Sequence, residues 1–458
     1  LAHCPSLRGN VFFQGSLPFC VDTRKYIHPS AFVAIPGVKI NPLDVIEGLL
    51  RQGCMVVFYQ EDFQNDEKVK ILKKSYPLTE FVPVSDSVTF LQEVSHEHIK
   101  DWKTKNSRNT IFAISGSNGK TTHKEMLTYL LKYVIPEKVI STEKNNNNHL
   151  GVPLTLLGVT EKTQIVILEL GSNHPGEIKV LCDIAQPNAG VTTNIGATHL
   201  EFFGSEQNVF EEESYLYHAV RTYHGKGPYL INLDDPFLKN LKPFLGSITY
   251  GEDPAAMARI TFFKDGADII FNQTRLSARN SEITGRHNIF NLITSLFIAC
   301  SLYPEYQSEF IEACKSFRPT KNRSEWIQFE KRAVYLDAYN ANPSSMKAAL
   351  QGFKENILEQ GFELKDACIV LGDMNELGDA TPQYHKELGI FIKDLGFPNV
   401  FFVGHFSSYY LIGNPHGQSR ASSAEFKSEY RSECLKKYAI HFIKGSRSLQ
   451  LESLFDIS

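Results

Sequence analysis

At 458 residues the chain exceeds what one core usually holds, so two to four domains are expected. With 42% hydrophobic and 21% charged residues it has a globular composition, which excludes disordered and fibrous classes. A formal charge of -4 and a pI near 6.5 supply no cationic field for nucleic acid or an anionic membrane, so any phosphate binding has to be local. The 8 cysteines are scattered, with no C-x-x-C pair and no histidine at zinc spacing, the pattern of reduced thiols in a cytoplasmic protein. No apolar run approaches the roughly 18 residues that cross a bilayer, and no charged-then-apolar leader opens the sequence, so membrane insertion is not expected.

From residue 1 to 106 short apolar runs alternate with turns. Ala31 to Ile35 closes on Pro36-Gly37, and Met55 to Tyr59 follows a predicted helix from Pro42 to Gln52, which together predict a small α/β domain. At the end of one strand, Val21-Asp22-Thr23-Arg24 couples an acceptor, a hydroxyl and a guanidinium. Thr23 and Arg24 could hold a phosphorylated or nucleotide-like substrate; an exposed turn with an Asp-Arg pair explains them equally well. The segment from Ser95 to Asn109 reads as a polar linker or exposed helix into the next domain.

A second domain is predicted over 107–318. Ile111 to Ile114 reads as a buried strand, and Ser115-Gly116-Ser117-Asn118-Gly119-Lys120-Thr121-Thr122 as a glycine-pinched turn opening a helix with Met126, Leu127, Leu130 and Leu131 on one face. That is the build of a phosphate cradle: helix-terminal N–H groups face the anion, Lys120 adds a point charge, and the Thr121 hydroxyl can reach Mg²⁺. Ile114 stands where the first glycine of the general P-loop pattern would be, leaving a shorter form.

Downstream, the asparagine run Asn145 to Asn148 reads either as a solvated loop or as amides, Asn146 and Asn147 among them, that orient a polar substrate. Gln164 to Leu170 is a continuous apolar strand with Glu169 near its C-terminal end, where a parallel sheet presents a carboxylate to a ligand crevice and so to Mg²⁺. His199 follows the next such strand in the same register. Glu211-Glu212-Glu213 opens a helix-compatible stretch in which acids suit the dipole. Asn288, ahead of an apolar helix, could read an adenine edge or cap the helix.

The third domain, 319–458, repeats strand, turn and helix: Val334 to Asp337, a helix capped by Asn342 with Pro343 at its first position, Ala367 to Gly372, and Val400 to Val403. This alternation predicts a parallel, Rossmann-like sheet with right-handed crossovers. It carries no G-x-G-x-x-G, so a dinucleotide cofactor is not expected.

In this order the loop Ser115 to Thr122, the segment Asn145 to Pro153, Thr193 to Ser205, Asp337 to Met346, Leu371 to Gly378 and Lys444 to Arg447 resemble the Mur ligases of peptidoglycan synthesis, and within them the D-alanyl-D-alanine-adding type. The resemblance spans nearly the whole chain. It implies three α/β domains: a small N-terminal UDP-sugar-binding domain, a central P-loop-type ATPase domain with a mostly parallel sheet, and a Rossmann-like C-terminal domain for the incoming dipeptide. It also implies a cytoplasmic, monomeric enzyme that uses ATP and Mg²⁺ to join UDP-N-acetylmuramoyl-tripeptide to D-alanyl-D-alanine through an acyl phosphate. In that picture Gly116, Ser117, Asn118, Gly119, Lys120, Thr121 and Thr122 hold the phosphates, Thr121 and Glu169 hold one Mg²⁺, and His199 a second. Asn288 meets adenine, Asp337 the ribose and Arg323 the γ-phosphate, while Thr23, Arg24, Asn146, Asn147, Asn340 and Asn342 meet the substrates. Lys120, Glu169, His199 and Arg323 are the implied catalytic group. Because Arg323 and Asp337 lie beyond a hinge near Pro319, the site is expected to be complete only on closure.

The sequence departs from the family where a carbamylated lysine helps to position Mg²⁺: Glu213 stands there. Glutamate is already an anionic oxygen ligand, so Glu213 is expected to replace the carbamate and remove the need for CO₂; the alternative is that the metal ligand is lost and the second Mg²⁺ binds weakly. Competing readings are another Mur-type amide ligase or a folylpolyglutamate synthase-like enzyme, a P-loop kinase, and a non-catalytic nucleotide-binding protein of the same fold. The Asp-Asn-Pro-Arg loop of the tripeptide-forming ligase is absent from the sequence.

Overall fold

The computed structural model describes residues 18–37, 41–64, 66–225 and 227–455. Three sheets follow one another along the chain. The first is parallel, with β1 (Phe19–Cys20), β2 (Ala31–Ala34), β3 (Val56–Gln60) and β4 (Glu80–Val84) in sequence order. Its middle strands are buried on both faces, as all-parallel sheets require.

Of the two readings of Ser95 to Asn109 the helix is the one observed, as part of Ser87–Lys105, but it is not exposed throughout: Ile99 and Trp102 are buried. Phe90, Leu91 and Val94 pack beneath the first sheet, whereas Ile99 and Trp102 belong to the core of the next domain. Trp102 donates its indole N–H to the Thr163 carbonyl at 3.1 Å. One helix thus joins two cores; its His and Lys residues disguise an apolar face that lies in a stripe, not a run. The predicted helix from Pro42 is broken into a 3₁₀ turn, Pro42–Asp44, and a short helix, Glu47–Arg51.

The central sheet has nine strands: β5 (Thr110–Ser115), β6 (Val139–Ser141), β7 (Ile165–Glu169), β8 (Ala189–Thr192), β9 (Tyr229–Asn232), β10 (Ser247–Gly251), β11 (Ala258–Phe263), β12 (Gly266–Phe271) and β13 (Thr274–Arg279). Their spatial order is β13-β12-β11-β10-β9-β8-β5-β7-β6. The β6 to β10 half is parallel, and β11 to β13 form an antiparallel meander on one edge. Strand β5 lies between β7 and β8, and its alternate side chains enter two cores, Ile111 and Ala113 one and Phe112 and Ile114 the other. The register sets Ile114 opposite Glu169 and Ser115 opposite Thr192, which delivers the phosphate loop and the acid to the same sheet end.

The third sheet joins β14 (Glu325–Phe329), β15 (Arg332–Asp337), β16 (Ala367–Gly372), β17 (Val400–Val403), β18 (Gln418–Arg420) and β19 (Ile440–Lys444) in the order β14-β15-β19-β16-β17-β18. All pairs are parallel except the β14-β15 hairpin. Its register places Asp337 beside Lys444 at the C-terminal strand ends. The three-domain α/β architecture is the one expected, with the antiparallel meander added.

Candidate active site

The loop after β5 is shaped by two glycines. Gly116 has φ +117°, and a Cβ there would lie 2.3 Å from Thr193 Oγ1 and 2.8 Å from the Thr193 nitrogen, so no side chain fits. Gly119, at φ +79°, is the N-cap of helix Lys120–Val134 and offers no side-chain cap. The Ser117 and Asn118 N–H groups are taken by the Asn194 carbonyl and side chain, at 2.8 and 3.1 Å. The first-turn N–H groups of Lys120, Thr121 and Thr122 have no intrahelical acceptor, His123 being the first to donate back, to the Gly119 carbonyl. Uncapped N–H groups at the positive end of a helix form an anion site.

Glu169 closes one side of this site. Its Oε1 accepts the Thr121 hydroxyl at 2.9 Å and the Asn147 amide at 3.1 Å. Its Oε2 is buried without a hydrogen-bond partner and lies 3.5 Å from Lys124 Nζ, both side chains being only 4% exposed. Lys124 escaped the sequence reading; its signal is the four-residue spacing from Lys120, which puts both ammonium groups over one helix face.

Glu213 is 2% exposed and lies behind the loop. Its Oε2 accepts the Gly116 N–H at 2.7 Å, and its Oε1 is 3.6 Å from Lys120 Nζ, which also donates to the Gly116 carbonyl. Ser115 Oγ donates to the Glu213 carbonyl at 2.8 Å.

The third domain is closed over the loop. Asn342 accepts the Ser345 N–H as the cap of helix Pro343–Glu359, and its own amide donates to Asn118 Oδ1 at 2.6 Å. Asn118 in turn donates to Ser344 Oγ at 2.9 Å, and the Trp326 indole donates to Thr284 Oγ1 at 2.7 Å. Lys444, 2% exposed, reaches Asp337 Oδ2 at 2.5 Å and the Asn340 carbonyl at 3.0 Å. Arg323 stacks its guanidinium 3.8 Å from the Tyr339 ring centroid. His199, with φ +51°, sits with Nδ1 2.6 Å from Glu376 Oε2, and this imidazole holds the Glu376 carboxyl below the usual range.

A cleft of about 690 Å³ separates the domains. Ser117 to Thr122, Asn147, Glu169, His199 and Asn288 form its central-domain wall, and Arg323, Asp337, Asn340 and Asn342 the opposite one. Gly116 and Glu213 stand behind the loop, and Asn146 lies off the wall; Asn145, Asn147 and Asn148 face the cleft instead. Thr23 and Arg24 are not brought to it either. They form a 3₁₀ turn in which Arg24 grips Asp22 at 2.9 and 2.8 Å, and this guanidinium holds the Asp22 carboxyl at about 2. Lys444 and Glu376 lie in the motif segments Lys444 to Arg447 and Leu371 to Gly378, but only packing shows which motif residue faces which partner.

The donor set suits a hard cation. A hydroxyl and a carboxylate with one orphaned oxygen beside a phosphate cradle match Mg²⁺, which keeps waters and takes the remaining oxygens from phosphates. Among the described residues no three His, Cys, Asp or Glu side chains converge into a cage of their own.

Fold and site together define a P-loop-type, nucleotide-using enzyme whose cleft is closed by a separate Rossmann-like domain. Residues 114–299 match the Mur ligase middle domain, and 322–426 match the Mur ligase, glutamate ligase domain. The chain belongs to the Mur ligase family and is an ATP-dependent ligase. It is 27% identical to the UDP-N-acetylmuramoyl-tripeptide–D-alanyl-D-alanine ligase of Bacillus subtilis (strain 168), over 94% of this chain and 91% of that one. The crystal structure of MurF from Acinetobacter baumannii superposes with a TM-score of 0.79 at 25% identity, covering 95% and 92% of the two chains. MurF from Thermotoga maritima in complex with ADP shares the fold at 23% identity, with a TM-score of 0.78 over 96% and 97%. No helix among the described residues is long and apolar enough to cross a membrane.

Proposed function

We propose that the chain adds D-alanyl-D-alanine to UDP-N-acetylmuramoyl-tripeptide at the expense of ATP, in cytoplasmic peptidoglycan precursor synthesis. The observation that carries this reading is the closed cleft itself. Uncapped N–H groups of helix Lys120–Val134 face Arg323 and Asp337 of the third domain across one cavity, in a chain whose relatives of near-equal length bear that name.

Phosphoryl transfer needs positioning and charge neutralisation more than covalent help. The uncapped first-turn N–H groups of helix Lys120–Val134 and the Lys120 ammonium hold the phosphates, the Gly116, Ser117 and Asn118 N–H groups being taken within the protein, and Arg323 approaches the γ-phosphate from the opposite wall. Asp337, fixed by Lys444, takes the ribose hydroxyls, and Asn288 the adenine edge. Thr121 and Glu169 would hold one Mg²⁺ and His199 a second, and the bound metal would neutralise charge on the phosphates. Asn147, tied to Glu169, orients the tripeptide carboxylate; that carboxylate takes the γ-phosphoryl group, and the dipeptide amine then displaces phosphate to leave an amide. Asn340 and Asn342 lie on the side from which the dipeptide enters. Thr23 and Arg24 meet the UDP-sugar if the exposed Asp22 pair opens to a ligand phosphate. Glu213 as placed supports the loop, and any metal contact from it requires that carboxylate to leave Gly116.

The test is phosphate release from ATP with each acceptor alone and with both, and the mass of the product. Release requiring both substrates, with an amide-linked pentapeptide product, is expected; a phosphorylated product without an amide would overturn the proposal in favour of a kinase. The folylpolyglutamate synthase-like alternative is not favoured by these relatives.

A further inference from the structure

Glu376 belongs to the turn after β16, in the third domain, yet it reaches the second. Its Oε2 lies 2.6 Å from His199 Nδ1, and its carbonyl accepts the Glu201 N–H at 3.1 Å. The two atoms are within hydrogen-bond distance, but the ring as placed does not aim its N–H at the carboxylate, so Nδ1 is buried without a hydrogen-bond partner and a turn of the ring is needed to make the bond. Both residues hold left-handed backbone, at φ +62° for Glu376 and +51° for His199, which non-glycine residues adopt at a cost and which clusters at functional sites. The turn is braced from behind: the Met374 N–H donates to His385 Nε2 and the Asn375 N–H to Ser446 Oγ, each at 3.1 Å. A Cβ on Gly378 would lie 3.0 Å from Glu201 Cα, so the turn is pressed flush against the His199 segment. His199 is on the cleft wall, whereas Glu376 stands outside it.

We propose that Glu376 is a positioning residue for His199, delivered by domain closure. A carboxylate on Nδ1 keeps the proton there, so Nε2 retains its lone pair for a cation in the cleft. Carboxylate–imidazole–metal pairs of this kind fix the tautomer and the ring plane. Because the carboxylate comes from the other domain, the metal site is complete only when the third domain has closed. This rests on the proposed reading of His199 as a metal ligand.

The experiment uses the full chain with ADP and Mn²⁺ as the probe, read by electron paramagnetic resonance, and long-range ¹H–¹⁵N spectra of the histidine rings. In the wild type His199 should show the Nδ1–H tautomer. Glu376→Ala should weaken the Mn²⁺ site by roughly 10- to 100-fold and lose that tautomer. Glu376→Gln should retain most of both, since an amide oxygen still accepts the N–H, a rescue that a purely structural latch would not give. Unchanged Mn²⁺ binding and tautomer in Glu376→Ala would overturn the proposal, and so would a His199→Ala chain that binds Mn²⁺ as the wild type does. Ligation is measured separately on the wild type by product mass, so a chain that fails to ligate but shows the Glu376 dependence rejects the proposed substrates, not this role.

Discussion

Asn342 caps helix Pro343–Glu359 with its side-chain oxygen and donates its amide to Asn118 Oδ1 at 2.6 Å, so the third domain's helix cap is hydrogen-bonded to the phosphate loop. One side chain therefore does a local job and a long-range one, and substitution can separate them. Asn342→Asp keeps the cap oxygen but loses the donor and sets a carboxylate against Asn118 Oδ1. Folding stability should change by less than about 1 kcal/mol, while activity falls by roughly tenfold or more through loss of closure. Thermal unfolding and small-angle scattering with nucleotide bound check the two halves. Full activity with an unchanged radius of gyration would show that the contact does not support closure.

Lys124 and Glu169 form an ion pair with both partners almost fully buried. Lys124→Met leaves the Glu169 carboxylate uncompensated and should destabilise the chain by about 3–5 kcal/mol, whereas Lys124→Arg should lose less. Urea denaturation measures this. A loss below about 1 kcal/mol in Lys124→Met would mean that the thin solvent contact of Glu169 suffices to screen it.

Glu213 and Glu169 should respond differently to metal. Glu169→Gln removes the carboxylate charge that Thr121 and Asn147 hold at the cleft and should raise the Mg²⁺ concentration for half-maximal rate by roughly tenfold or more. Glu213→Ala deprives the Gly116 N–H and Lys120 of a buried partner, at a cost of about 1–3 kcal/mol, and should weaken ATP binding more than metal dependence. Depleting bicarbonate should leave the wild type unaffected, since the carbamate position holds a fixed carboxylate. Metal-titrated kinetics under CO₂-free gas test both statements.

Among the described residues four histidines are pushed down to about 4 by burial: His123, His385 and His441 in the core and His287 at the cleft. Between about pH 6.5 and pH 4 the unfolded chain binds protons at these rings and the native chain does not. Stability is therefore fully present above about pH 6.5 and falls as pH drops toward 4, by up to about 1.4 kcal/mol per pH unit for each ring. The urea midpoint should decline across that window, and less steeply in His441→Phe, which removes one titrating ring. A flat midpoint would show that the rings are charged in the fold.

The sequence by itself determined the elements that depend on local pattern. The apolar run Ile111 to Ile114, the glycine pair of the loop, the Asn342-Pro343 cap and the strand-ending acids Glu169 and Asp337 are all written in neighbouring residues, so period and capping chemistry find them. Their order along the chain was enough for a family resemblance. Local pattern failed where one segment serves two cores, as in Ser87–Lys105, because burial of Trp102 depends on a carbonyl at Thr163. Only the tertiary structure decided that Glu213 lies behind the loop and not on the cleft wall, that Lys124 and Lys444 carry the buried countercharges, and that His199 meets Glu376 across a domain boundary. Those pairings join residues tens to hundreds of positions apart, and no local periodicity encodes which of several equivalent carboxylates or ammonium groups a closed interface brings within 4 Å.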